Sequence, residues 1–213
     1  VTVPAEAFLQ DQLPQKYQRH IRSALQTAYA AAAQLAADEP ILATASATDN
    51  HGRLISWATD LAIEKLITTG VWPFDYAWVH FNRPTGRFLR VELPDSYLSI
   101  SKVSCFKKPP RKVGFRGNAA LSNQSYLFES MEQERKRIVG QPSFVLVHGH
   151  KSLNFAHIGM SEPNQNEWIY RTGNLLDMVH SIENSDLPPV ESTEESVLTL
   201  KQDIEKWRRD QNE

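Results

Sequence analysis

The chain is poor in the residues that most often announce a function. Cys105 is its only cysteine in 213 residues, so an intramolecular disulfide and a cysteine-built zinc site are both excluded. The cytoplasm is the compartment that cysteine usage leads one to expect. No run approaches the ~18 uncharged apolar residues that a membrane-spanning helix needs. The opening Val1-Thr-Val-Pro-Ala-Glu6 has no basic segment leading into an apolar run, so no signal peptide is expected. Also missing are the P-loop pattern, G-x-G-x-x-G, H-E-x-x-H and G-x-S-x-G. Their absence counts against nucleotide hydrolysis, dinucleotide redox chemistry, zincin proteolysis and α/β-hydrolase chemistry. No internal repeat and no low-complexity tract is present.

What the chain does have is the ordinary makeup of a packed protein, with 41% hydrophobic and 23% charged residues. Its length suits one domain, or one domain with a terminal appendage. The charge is unevenly placed. Between Arg83 and Arg116 lie nine cations (Arg83, Arg87, Arg90, Lys102, Lys107, Lys108, Arg111, Lys112 and Arg116) against two carboxylates, Glu92 and Asp95. The window therefore carries +7 in a chain of net charge −2, and the remainder sums to −9. A surface so polarised attracts anions, and phosphate polymers are the commonest large anions in a cell.

Periodicity organises the rest. Residues 15–37 read as a helix, with apolar side chains near a 3.6 period and an alanine run suited to close packing. Residues 43–50 read as a loop. Residues 54–69 form a second amphipathic helix closed by Gly70. Residues 76–81 and 87–93 alternate around the turn chemistry of 83–86, which predicts a β-hairpin, and residues 97–103 predict a third strand. The proline- and glycine-bearing stretch 104–118 is a loop. A helix is expected over 122–139, a second hairpin from 144–150 and 153–160, a strand over 167–172, and a short helix from Asn174 to residue 182. After a linker with Pro188 and Pro189, Ser192 and Glu195 form a capping box for a last helix. Its Val197, Leu200, Ile204 and Trp207 make a two-heptad seam.

This pattern predicts an α+β fold: a mostly antiparallel sheet of two hairpins plus extra strands, packed by N-terminal helices. Residues 1–187 form the domain, and 188–213 the linker and helix for oligomerisation or docking. The seam points to a homodimer through Val197, Leu200, Ile204 and Trp207.

Three constellations compete for function. The first is the basic face, in which Arg83, Arg87, Lys102, Lys107, Lys108, Arg111, Lys112 and Arg116 would contact nucleic-acid phosphates, DNA or RNA, with Phe106 and Phe115 placed to stack on bases. The plainer alternative is a solvated loop paired with acidic residues elsewhere. The second is the histidines. His148 and His150 share a strand face, and a loop at 151–154 would set His148 opposite His157. Three converging imidazoles would suit a first-row metal or acid/base work on a phosphodiester. The plainer alternative is hydrogen bonding in a sheet. The third is Asp75 and Glu92, set diagonally on one sheet face, with Glu92 opposite Ala77. Such a pair resembles the Mg²⁺ site of restriction-type nucleases, but Pro94 occupies the place of the usual lysine, leaving Lys102 as substitute. Here the plainer reading pairs Glu92 with Arg90 or Arg87.

The expectation is a nucleic-acid-binding protein that uses the 83–116 face. The rivals are a small nuclease or RNase-type toxin, and an assembly module whose basic face meets an acidic protein. No cofactor is assigned.

Overall fold

A computed structural model describes residues 4–48, 50–81, 86–111, 116, 120–123, 141–164, 166–178 and 191–210, with side chains in the last helix through Lys206. The alternating segments build one six-stranded sheet in sequence order: β1 (Asp75–His80), β2 (Arg87–Glu92), β3 (Tyr97–Val103), β4 (Ser143–Gly149), β5 (Ala156–Ser161) and β6 (Trp168–Arg171). All neighbours pair antiparallel except β3 and β4, which run parallel. The α+β class and the mostly antiparallel sheet match the expectation from periodicity.

The helices are α1 (Pro4–Gln12), α2 (Gln15–Gln18), α3 (His20–Asp38), α4 (Ala45–Thr48), α5 (His51–Thr68) and α6 (Glu194–Asp210), with a 3₁₀ turn at Pro40–Ala43. The helix expected over 15–37 breaks at Arg19 into α2 and α3. The Gln18 side-chain amide donates to the Leu13 carbonyl at 2.7 Å, which closes the turn between α1 and α2. The expected loop at 43–50 holds α4. Gly70 ends α5 with φ of 76°, the left-handed position that glycine fills without strain. Residues 124–140, expected to be largely helical, lie outside the described residues, as do 179–190.

One sheet face carries Leu89, Val91, Leu98, Phe144, Leu146, Ala156, Ile158 and Met160, all buried. Against it pack Leu25, Ala28, Ala32 and Leu35 of α3 with Leu54, Ala58 and Ile63 of α5. The alanines of α3 let the two helices approach closely. Phe8 of α1 stacks on Phe144 at 5.7 Å.

The C-terminal seam closes on this same core. Val197, Leu200 and Ile204 are 5%, 1% and 1% exposed, packed on α3 and α5. Lys201 pairs with Asp38, and Lys65 with Asp203. The expected homodimer surface through these residues is thus consumed within one chain; the Trp207 side chain lies outside the described residues. Each buried aliphatic side chain contributes roughly 1.5–3 kcal/mol of transfer free energy, and the nearest apolar face belongs to the chain's own helices. The cap is also displaced by one residue. The Thr193 hydroxyl accepts the Ser196 amide at 3.1 Å, and the Ser196 hydroxyl accepts the Thr193 amide at 3.0 Å. Ser192 is engaged by the Thr27 hydroxyl instead, at 2.9 Å.

Candidate functional site

Because β3 and β4 run parallel, their carboxyl ends lie side by side, and Lys102 pairs with His148. From there the chain diverges. β3 leads into the basic stretch, and β4 into the loop that starts at His150. Crevices open where strands end together and their connections part. Here a pocket of about 820 Å³ opens between these ends, the basic stretch and α5. Its cations are Arg87, Lys102, Lys108, Arg111 and Arg116. Its imidazoles are His148 and His150, and α5 contributes Ser56, Trp57 and Asp60. Phe81 and Phe88, stacked at 5.2 Å, add an apolar wall.

His148 is 1% exposed, and its ring is held from α3. Tyr29 lies with its hydroxyl 2.7 Å from His148 Nδ1, and the same hydroxyl donates to the Gly149 carbonyl. The phenol has one proton, and it is committed to Gly149. His148 must therefore supply the proton at Nδ1, which leaves Nε2 with its lone pair as the free ring nitrogen. Burial brings the imidazole down to about 4, opposed by the Gly149 backbone and helped to a lesser extent by repulsion from Lys102. It is neutral at ordinary pH. Burial also holds the Tyr29 phenol well above its usual range, so it remains a donor.

Asp60 behaves in the opposite sense. Burial in the pocket wall, with Glu64 one turn along α5, pushes its carboxyl up to about 8. Near neutrality it is a protonated acid. The Lys102 amine is shifted down by burial and by Arg53. Its ammonium lies over the first turn of α5, where only Gly52 leaves room: a Cβ there would meet Nζ at 2.6 Å and His150 Cε1 at 3.5 Å. Arg116 donates to the Ser101 hydroxyl at 3.0 Å and to the Arg111 carbonyl at 3.3 Å. Burial and Arg111 lower its guanidinium to about 10, so it keeps its charge.

Five of the eight expected phosphate-binding residues therefore converge on one cavity. Lys107 is exposed on the same stretch, beyond the pocket lining. Arg83 and Lys112 lie outside the described residues, as does Phe115. Phe106 does not present a free stacking face. The Arg171 guanidinium sits 4.9 Å above it, Phe155 and His157 flank it at 5.5 Å, and Arg171 donates to its carbonyl. Phe106 anchors the basic stretch to the sheet.

The expected triple-histidine cluster does not form. His148 pairs with Ala156 and His157 with Val147, a register one residue away from that expected. Side chains alternate strictly along a strand, so this single step turns His157 to the opposite sheet face. There its Nδ1 lies 3.0 Å from the carbonyls of Thr172 and Gly173. The carboxylate pair is corrected too. Asp75 faces Glu92 directly, and Glu92 accepts from Arg90 at 2.6 Å. Glu92 aligns with Tyr97 at the start of β3, so Lys102, five residues on, lies on the other face at the other end. Among the described residues no group of three or more histidine, cysteine, aspartate or glutamate side chains is placed to hold a metal ion.

Sequence reading missed Tyr29 and Asp60. A signal existed for the second: Gly52, Ser56, Asp60 and Glu64 step by four along α5, a row without a large apolar side chain beside the helix's apolar stripe. Tyr29 is the one polar tip inside an alanine run. Compared with family models, with curated proteins and with solved structures, the chain matches none.

Proposed function

We propose that the protein binds nucleic acid, with phosphates drawn to the pocket at the ends of β3 and β4. The observation that carries this is the convergence of Arg87, Lys102, Lys108, Arg111 and Arg116 on one cavity whose sole carboxyl among the described lining residues, Asp60, is protonated near neutrality. Lys107 and Arg53, both exposed, extend the positive surface past the rim, which suits a polymer better than a small anion. Trp57, Phe81 and Phe88 offer apolar area for a nucleobase. A cavity of this size falls in the range that encloses a small ligand. It admits an unpaired nucleotide, not a duplex, so single strands are the favoured form.

Salt dependence tests the proposal. Five phosphate contacts give a log–log slope of about −3.5 on a single strand and about −4.5 on a duplex. Replacing Arg87, Lys108 and Arg111 with alanine should remove about 2 from the single-strand slope and weaken all sequences alike. Wild-type protein that binds no oligonucleotide at low salt, or a triple variant that binds as tightly as wild type, would refute it.

A further inference from the structure

The pocket holds more than cations. A base and an acid enter it from different elements, and one of them is locked into a single tautomer. His148 on β4 has Nδ1 committed to Tyr29, leaving Nε2 for the cavity. Lys102 is its register partner on β3. Asp60 enters from α5. A site meant only to hold phosphate has no need of a half-buried carboxyl among its cations, nor of an imidazole latched from a second helix.

We infer that the pocket is an RNA-cleaving centre: His148 is the general base, Asp60 the general acid, and Lys102 the cation at the phosphoryl group, with the substrate's own 2′-hydroxyl as nucleophile. This rests on the nucleic-acid reading above. His148 Nε2 takes the 2′-hydroxyl proton as the O2′–P bond forms. The P–O5′ bond breaks, and O5′ takes the Asp60 proton. The products are a 2′,3′-cyclic phosphate and a 5′-hydroxyl, and neither water nor an oxidant is consumed. Lys102 and the rim guanidiniums meet the charge that grows on the phosphoryl oxygens. The protons return to their starting places through solvent, from imidazolium to carboxylate.

The internal hydroxyl is the nucleophile this site can use. Intramolecular attack carries an effective molarity of about 10⁵–10⁸ M, which offsets the modest strength of a buried imidazole as a base. The two titrating groups bracket neutrality. His148, facing Tyr29 and Lys102, must be neutral, and Asp60, facing Glu64, must be protonated. Arg87, Cys105, Lys108, Arg111, Arg116 and His150 complete the charged or titratable lining. The rate should therefore hold a plateau between about 4 and about 8 and fall on either side. Tyr29 is a positioning residue.

The test uses the full chain and three end-labelled oligonucleotides of one sequence: single-stranded RNA, the same RNA with one 2′-deoxynucleotide, and DNA, all in EDTA. RNA should be cut to fragments ending in 2′,3′-cyclic phosphate, the step after the deoxynucleotide should be spared, and DNA should be bound intact. His148→Gln and Asp60→Asn should each slow cleavage by about 10²–10⁴-fold while still binding RNA, which shows that they fold. Tyr29→Phe should lower kcat and leave KM unchanged. RNA bound but uncut from pH 4 to pH 9 overturns the cleavage inference and leaves the binding proposal standing. No binding of either polymer overturns both. Cleavage that requires added magnesium, equal cleavage of DNA, or wild-type rates in the His148 and Asp60 variants overturns the assigned roles.

Discussion

Gly52→Ala separates the pocket from the fold with one methyl group. The added Cβ would lie 2.6 Å from Lys102 Nζ, well inside the ~3.5 Å separation of favourable contact. What it meets is the tip of a flexible side chain, so the ammonium must move by about 1 Å or swing away, and the backbone has no need to shift. His150 Cε1, at 3.5 Å, is already in ordinary contact. In the first turn of α5, alanine in place of glycine should be neutral or stabilising, by up to about 1 kcal/mol, through helix propensity and a less free unfolded chain.

The expected result is a divergence of two measurements. In urea unfolding, the variant should be at least as stable as wild type. In a salt titration with single-stranded RNA, the log–log slope should lose about 0.7, one phosphate contact. Lys102→Ala should lose the same. The double variant should bind like Lys102→Ala alone, because the methyl acts only through the ammonium that has been removed. Unchanged affinity and slope in Gly52→Ala would refute the contact by Lys102. A loss of stability beyond about 1 kcal/mol would refute the claim that only a side-chain tip is displaced.

Three further outcomes follow from other parts of the molecule. Ile204→Ala should destabilise the fold by roughly 2–5 kcal/mol in urea unfolding, because Ile204 is 1% exposed in the shared core; a cost under 1 kcal/mol would mean that the seam is not buried. His157→Ala should cost roughly 1–3 kcal/mol by taking the imidazole from the Thr172 carbonyl, the Gly173 carbonyl keeping the Thr172 hydroxyl, with no effect on RNA binding at low salt; lost binding would return His157 to the site. Asp60 has its folded pKa raised, so its stabilising contribution is full below about 4 and disappears as pH rises through about 8. Asp60→Asn should thus gain stability on wild type by up to a few kcal/mol between pH 5 and pH 9, and a constant difference between the two unfolding profiles would contradict this.

The features that were legible in the sequence are those whose cause is local. The period of α5, the alternation of β3 and the seam of α6 each follow from which residues an element must bury. What escaped depends on partners far along the chain. The displaced cap of α6 involves Thr27, 165 residues away, claiming Ser192. The seam itself was visible, but nothing in its four residues says whether α3 and α5 or a second copy covers it. The second hairpin shows how small an error matters. A loop one residue different from that assumed exchanges the faces of β5, and alternation then turns His157 away from the pocket while Ala156 takes the position opposite His148. The cations were legible as a cluster because charge is additive along a sequence. Their convergence was not.

That convergence comes from the one parallel pair in the sheet. In an antiparallel hairpin, a basic connection of this length would be displayed past the edge of two strands, and its charges would repel one another into solvent. Between parallel strands the connection must return the chain to the end where β3 began. The basic stretch is the outgoing limb of that crossover. It leaves at Val103, and Ser104, Cys105, Lys108, Pro109, Pro110, Arg111 and Arg116 line the crevice. The same parallel register sets Lys102 beside His148. Antiparallel pairing would have placed the end of β3 against the start of β4, near Ser143, 5 residues from the histidine. Tyr29 and Asp60 reach these strand ends because α3 and α5 cover that face. A base, an acid and a ring of cations meet at one point because of this strand order, and its only trace in the sequence is a connection between β3 and β4 too long for a hairpin.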